Sequence, residues 1–283
     1  QSNVIASEVA KTDTKLERNY VVSTEKGTLT VTAASMGIEA FDAEKFYDAE
    51  PTNITWIVRA GGEVIDDAAI CLREPGGEWV PAAEFTPYVD ATGDTPVTVE
   101  VKAEKSNYET ATGSATVTIK PRVIVQKAGD AEKSYDRTPL RCDDSEEKPE
   151  REAEEAVKLY GESGRDATGF VGSDGFGSVP MTADSEQTEP GSHPNVIDEG
   201  AVTLAEGTKK ENYVFFYDPG LLTVSTAAMT IEAFDAEKFY DAEPTNVTYV
   251  VTNAAGVAIV PDKVYLREKN TTDWIPAADF VPC

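Results

Sequence analysis

Histidine is almost missing from the chain: a single one, His193, stands among 283 residues. No His pair and no histidine-based metal site can be built from it, and beside Pro194 it reads as a solvated loop residue rather than the base of a Ser-His-Asp set. Cysteine is scarce and odd in number, at Cys71, Cys142 and Cys283, with no metal-like spacing. These read as small buried hydrophobes or unpaired thiols. No run of about 18 apolar residues exists that could span a bilayer. The opening Gln1-Ser2-Asn3-Val4 lacks the charged start and apolar stretch of a secretion signal, as expected of an internal piece of a longer protein. Positive charge is also short: 25 basic residues face 51 acidic ones, for a formal charge of −26. Such a surface repels nucleic acid and bare anionic membrane while keeping a long array soluble. Size alone suggests two or three domains.

What the chain has instead is repetition. Ile38 to Asn53, IEAFDAEKFYDAEPTN, returns letter for letter as Ile231 to Asn246, 193 residues on (231 minus 38). Cys71-Leu72-Arg73-Glu74 returns as Tyr265-Leu266-Arg267-Glu268, and Trp79 to Phe85 returns as Trp274 to Phe280. The exchange of Cys71 for Tyr265 excludes a disulfide framework shared by the copies. Upstream, Asn19-Tyr20 leading to Gly27 through Val31 answers Asn212-Tyr213 leading to Gly220 through Val224, and Asn3-Val4-Ile5 answers Asn195-Val196-Ile197. The chain therefore spans about one and a half turns of a long repeat, and a repeat turns one long sequence into a short unit with a stacking rule.

Four pieces follow. Residues 1–34 read as the end of a longer-type module, with a strand at Tyr20-Val21-Val22, a turn at 24–27 and alternation over Leu29-Thr30-Val31. Residues 35–121 form a shorter module. It opens with strands near 38–41 and 45–47, continues through Ile54 to Val58, and holds the clearest period-two segment of the chain. There Val97, Val99, Val101 and Ala103 face one way, and Thr98, Glu100, Lys102 and Glu104 the other. Ala115 to Ile119 closes it. Seven or so short strands in about 85 residues suggest an Ig-like sandwich. Residues 122–226 form a longer module whose opening, Ala131 to Leu140, echoes Ala43 to Pro51. Its insert, 143–159, is Glu/Lys/Ala-rich and predicts one short helix with Ala153, Ala156, Val157 and Tyr160 on a narrow face. Gly161 to Gly177 reads as loop, 184–194 as a polar turn-rich tract, and Tyr213 to Tyr217, Asp218-Pro219-Gly220 and Leu221 to Val224 as a hairpin. Residues 227–283 open a second shorter-type module. The fold class expected is all-β: tandem Ig-like β-sandwich modules in an extended array, with the one helix in the longer module.

The Tyr135 to Leu140 segment, the Asn-Tyr endings before Gly-x-Leu-Thr-Val, and Asn107 to Ile119 resemble the tandem MBG-type and Ig-like repeats of large cell-wall surface proteins of Gram-positive bacteria. Where those repeats carry Tyr-Asp-Gly-x-Pro, this chain has Ala49, Arg137 and Ala242 at the glycine place, residues that disfavour a tight positive-φ turn. The resemblance implies secreted, cell-wall-attached, non-catalytic adhesin repeats acting as stalk or spacer, packed against neighbouring repeats of the same chain. The alternative is that the modules themselves bind a host glycan or extracellular protein, through an exposed edge or the tract Gly161 to Pro194.

Candidate chemistry is thin, and no catalytic, cofactor or metal residue is expected. Asp42, Glu44, Asp48 and Glu50, repeated as Asp235, Glu237, Asp241 and Glu243, offer oxygen ligands for calcium without the spacing of an EF-hand, and read better as acids on the wet face of strands. Asp174-Gly175-Phe176-Gly177 lacks the Lys and following helix of a phosphate cradle. Trp56, Trp79 and Trp274 read as core or module-joint residues before a carbohydrate platform. Asn53, Asn246 and Asn270 match the N-glycosylation pattern, which has no meaning on a bacterial route. Lys45 and Lys238, the recurrent lysines, are the candidates for the Lys to Asn amide that staples some Gram-positive sandwiches.

Overall fold

The computed structural model of the chain describes residues 2–3, 27–93, 95–243, 245, 247–268 and 270–280. Their regular secondary structure is mostly β-strand, in several sheets, with a single α-helix among the described residues, and no helix is long and apolar enough to cross a membrane. Two compact units result: residues 1–122 with 163–167 and 209–214, and residues 123–162, 168–208 and 215–283. Strands β1 (Ser2–Asn3) and β2 (Gly27–Thr28) pair antiparallel. The strand expected at Tyr20 to Val22 and its turn lie outside the described residues, and Leu29 to Val31 is not strand.

In the first unit, β3 (Gly37–Phe41), β5 (Thr55–Ala60) and β6 (Glu63–Val64) form one sheet. The second runs β4 (Ala43–Phe46), β10 (Ala111–Lys120), β9 (Val97–Glu104), β7 (Ala69–Arg73), β8 (Val80–Pro81). The period-two reading of β9 holds: Val99, Val101 and Ala103 are fully buried while Thr98 and Glu104 are exposed. Val117 and Ile119 of β10, Leu72 of β7 and Ile54 complete that core. Each such aliphatic side chain contributes about 1.5–3 kcal/mol relative to exposure. The second and last strands of this region, β4 and β10, run parallel, with Val117 opposite Ala43 and Ile119 opposite Lys45. Buried Arg122 donates to the Tyr47 carbonyl (3.3 Å), the Asp166 carbonyl (3.1 Å) and the Arg165 carbonyl. Fully buried Asn212 accepts the Ala91 N–H at 2.7 Å and donates to Asp90, which also pairs with Lys209 at 2.5 Å. These bonds satisfy polar groups that burial would otherwise penalise.

The second unit contains most of β11 (Arg122–Ala128), then β12 (Ala131–Ser134), β13 (Ser145–Glu147), α1 (Pro149–Tyr160), β14 (Phe176–Ser178), β15 (Gly191–Asn195), β16 (Thr203–Leu204), β17 (Tyr213–Asp218, shared with the first unit) and β18 (Gly220–Ser225). Two three-stranded sheets, β13-β11-β17 and β12-β18-β15, carry its core of Val123, Ile124, Val125, Leu222 and Val224. Again the second strand of the region, β12, runs parallel to the closing strand β18, Ala131 opposite Leu222 and Lys133 opposite Val224. Farther on, β19 (Met229–Phe234) pairs with β20 (Thr248–Asn253), and β21 (Tyr265–Leu266) with β22 (Ile275–Pro276).

Three expectations need correction here. Asp218-Pro219-Gly220 does not close a hairpin: β17 joins β11 and β18 joins β12 and β15, so the chain steps between sheets. Gly220 is there for close approach rather than turn geometry, because a Cβ would overlap the carbonyl oxygens of Gly129 and Ala128. The helix starts at Pro149, not Asp143, because Ser145 to Glu147 pairs with β11. Proline at its start fits a position whose N–H needs no partner, and Gly161 at φ 71° ends it with its N–H on the Val157 carbonyl at 2.9 Å. Its buried face is Glu152, Glu155 and Ala156, with Val157 exposed. Buried Glu155 pairs there with Arg151 at 2.9 Å and Lys158 at 3.5 Å. His193 is not a loop residue: it sits half-buried in β15 opposite Leu222, because the backbone ladder of that strand survives Pro194.

Candidate functional site

The Asp-Ala-Glu-Lys openings build the same small structure three times. Lys45 Nζ lies 2.5 Å from Asp48 Oδ1 and 2.5 Å from the Glu50 carbonyl, while Asp48 Oδ1 accepts the Glu50 N–H at 2.9 Å. Lys133 does the same with Asp136 (2.7 Å) and the Thr138 carbonyl, and Asp136 accepts the Thr138 N–H at 2.9 Å. Lys238 repeats it with Asp241 (2.7 Å) and the Glu243 carbonyl (2.5 Å), and Asp241 accepts the Glu243 N–H at 3.0 Å. The residue between is left-handed in all three, at φ 62° for Ala49, 71° for Arg137 and 62° for Ala242. The positive-φ turn that these side chains disfavour therefore forms without glycine. An aspartate folding back onto the backbone two residues on, clamped by the lysine, offsets the steric cost of the left-handed residue. Ala49→Gly removes that cost and is expected to raise the stability of the first unit by about 0.5–1 kcal/mol, read as a shift in the urea midpoint.

A second aspartate ties each opening to the end of its region. Asp42 Oδ1 accepts the Thr116 N–H (2.7 Å) and hydroxyl (3.0 Å), and Asp130 Oδ1 accepts the Leu221 N–H (2.7 Å). Beside them, the Tyr47 N–H reaches the Lys120 carbonyl at 2.9 Å and the Tyr135 N–H reaches the Ser225 carbonyl at 2.8 Å. The reading of these acids as plain wet-face residues is thus incomplete, because sequence alone does not reveal which backbone N–H groups face them. Glu44 pairs with Lys120 at 2.5 Å, and Glu50 acts through its carbonyl. Among the described residues no three His, Cys, Asp or Glu side chains converge as a metal group.

The hydrogen bonds have a pH consequence. The Thr116 N–H holds Asp42 below the usual carboxylate range, and Lys127 with the Leu221 N–H does so for Asp130. Lys133 and Thr138 lower Asp136 strongly, and Lys238 with the Glu243 N–H lowers Asp241. At Asp48 partial burial pushes the other way, but Lys45 and the Glu50 N–H outweigh it. A carboxyl depressed in the folded state binds fewer protons folded than unfolded. Its stabilisation is complete above the unfolded value, near 4, and is lost as pH falls through the folded value. Thermal melts are expected to hold steady from neutral pH to about 5 and to fall steadily below about 4.

The other candidates separate. Trp56 is half-buried against the Val58, Ala103 and Ala111 cluster. Trp79 is not a core residue: its ring lies under the Arg73 guanidinium at 4.3 Å and the Lys102 ammonium at 5.2 Å. Trp274 lies likewise under Arg267 at 4.7 Å and is exposed. Cations attracted to the ring face fix both indoles on the outside of the sheet. Cys71 and Cys142 are free and half-buried, and Cys283 lies outside the described residues. Phe176 and Gly177 of the Asp174 to Gly177 segment belong to β14 rather than to a loop, paired with β16, where a Cβ on Gly177 would meet the Leu204 carbonyl at 2.9 Å. Asn53 accepts the Ile54 N–H, Asn270 occupies a turn at φ 71°, and Asn246 lies outside the described residues.

One group escaped the sequence reading. Phe170, Phe176, Phe215 and Tyr217 form a half-buried aromatic cluster, with Phe170 and Phe176 edge-to-face at 5.1 Å, Phe176 and Phe215 at 5.6 Å, and Phe215 stacked on Tyr217 at 6.4 Å. Burial and the nearby Glu199 push the Tyr217 phenol up. The only hint was the aromatic spacing within Tyr213 to Tyr217, which β17 converts into one face. Elsewhere in this unit an open cleft of about 650 Å³ lies among Tyr135, Arg137, Pro190, Met229, Ile259 and Pro261.

No protein-family model matches the chain, and no curated protein does. Among solved structures, Drosophila OTK, extracellular domains 3-5, aligns over 88% of this chain and 80% of that chain at 8% identity with a TM-score of 0.17, too slight a likeness to carry an argument.

Proposed function

We propose that this chain is a non-catalytic, load-bearing repeat region of a bacterial cell-surface protein, in which Ig-like β modules strung in tandem serve as the stalk of an adhesin outside the cell wall. The observation that carries the reading is the closure shared by two regions of unlike interior. In each, the second strand runs parallel to the last, β4 with β10 and β12 with β18. When the two ends of such a region are pulled apart, the hydrogen bonds of this parallel pair of an early strand and the last are loaded together in shear instead of opening one at a time. The Asp42 and Asp130 bonds add to that resistance at the point where strand pairing begins. Copying supports the same reading, since a spacer gains length from each added unit, whereas a catalytic site gains nothing from being spaced along a chain.

The test is display. With the chain inserted between a cell-wall anchor and a reporter domain, accessibility of the reporter to a large antibody should rise with each added 193-residue period. Accessibility that does not change with copy number contradicts a spacer role.

A second reading rests on the aromatic cluster. Half-buried Phe170, Phe176, Phe215 and Tyr217 offer ring faces of the kind that stack on sugars. A glycan array bound by the chain but not by its Tyr217→Ala variant would favour ligand recognition by the longer module.

A further inference from the structure

Two stretches from far along the chain, residues 163–167 and 209–214, are built into the first compact unit. They meet residues 35–122 at three points. Fully buried Asn212 accepts the Ala91 N–H at 2.7 Å and donates to Asp90 Oδ1 at 3.1 Å, while Lys209 Nζ reaches the other oxygen of that carboxylate at 2.5 Å. Tyr213, 5% exposed, sets its ring edge-to-face on that of Tyr47, 7% exposed, with centroids 5.6 Å apart. Arg122 joins the Tyr47 carbonyl to the carbonyls of Asp166 and Arg165. The residues gripped in this way are the ones that hold the end of β10, the strand between β4 and β9. Next to Ala91, the Thr92 N–H meets the Ile119 carbonyl at 2.9 Å and its hydroxyl accepts the Ile119 N–H at 3.1 Å. The Tyr47 N–H reaches the Lys120 carbonyl at 2.9 Å.

We infer that residues 35–121 are not a self-standing fold, and reach full stability only when 163–167 and 209–214 close on them as a clasp centred on Asp90, Asn212 and Tyr47. Withdrawing 209–214 would take the acceptor from the Ala91 N–H and the cover from the Tyr47 ring, both beside the end of β10. The charges agree with the clasp. The Lys209 ammonium, helped by the Asn212 amide, holds the Asp90 carboxyl below its usual range against partial burial, and Asp90 raises Lys209 in turn. Closing so long a loop is little harder than closing a shorter one, because the entropy lost grows only with the logarithm of length. The clasp residues also belong to the repeat, since Thr208-Lys209 and Asn212-Tyr213 recur in the sequence as Thr14-Lys15 and Asn19-Tyr20. An order of folding follows. In a chain made from its N-terminus, residues 35–121 stay incomplete until Tyr213 has been added.

Native-state hydrogen exchange on the whole chain tests the clasp, because core amides report the opening of the unit that contains them. Asn212→Ala should speed exchange across β9 and β10 by about tenfold or more, as loss of a hydrogen bond to a charged group does, at positions about a hundred residues away in sequence. Lys209→Glu changes an exposed side chain and puts two acids together, and should speed the same amides about threefold while those of β18 keep their native rates. Adding Asp90→Lys to Lys209→Glu restores the pair with its signs exchanged, and should recover protection in β9 and β10. The proposal is overturned if faster exchange in both single variants stays within 209–214, or if Lys209→Glu loosens β18 as much as β9 and β10. It is equally overturned if the charge exchange recovers nothing.

Discussion

Gly220→Ala is expected to destabilise the region closed by β18 by roughly 3 kcal/mol or more, enough to shift its hydrogen-exchange protection to that of a partly unfolded chain. The Cβ would fall on the carbonyl oxygens of Gly129 and Ala128, which are backbone atoms and cannot swing aside as a side chain would. The same neighbourhood depends on Asn195, fully buried, whose amide donates to the Gly129 carbonyl at 2.9 Å and the Cys142 carbonyl at 2.8 Å. Any shift of Gly129 therefore strains both the step between sheets and this bridge. Tryptophan emission should barely respond, because Trp56, Trp79 and Trp274 all lie outside residues 122–226. Loss of protection confined to peptides from 123 to 225 is the expected outcome, and protection equal to the native chain would contradict the close-approach role of Gly220.

The second large effect compares the copies. Leu72 is 1% exposed in the core of the first unit, and its truncation to alanine should cost about 2–5 kcal/mol as transfer and cavity terms combine. Leu266, its counterpart in the identical local pairing of β21 and β22, is only half-buried. Leu266→Ala should cost less than half as much, because there is less surrounding core to leave empty. Urea titrations of the two variants, followed by exchange at residues 69–73 and 265–266, read the difference. Equal losses would mean that burial by β9 and β10 is not what separates the copies.

What could be read from sequence was whatever a single strand decides by itself. The alternation of β9 announces its own buried face, and the repeated stretch predicts that two copies pair alike, as the registers of β3 with β5 and β19 with β20 bear out. What depends on a distant partner was not legible. Asp218-Pro219-Gly220 has the composition of a hairpin turn, yet the tight packing of Gly220 on the Gly129 carbonyl sends its flanking strands to different sheets. Composition favoured helix from Asp143, but an edge position beside β11 draws Ser145 to Glu147 into strand. Trp79 looked like core because aromatics in strand patterns usually are, and only the cations at Arg73 and Lys102 place it outside. The left-handed Ala49, Arg137 and Ala242 were masked by residue type, since the lysine clamp that offsets their cost is visible only once the turn is built.

These features converge on mechanical closure, and stretching the single molecule tests it most directly. With the chain tethered by its two ends, the account predicts discrete unfolding steps. Residues 35–121 should lengthen the chain by roughly 30 nm and residues 122–226 by roughly 35 nm, less the folded span, at up to about 3.6 Å per residue. Asp42→Ala should lower the force of the first step and Asp130→Ala that of the second, each leaving the other unchanged. A single step that releases the whole chain, or step forces indifferent to both aspartates, would contradict it.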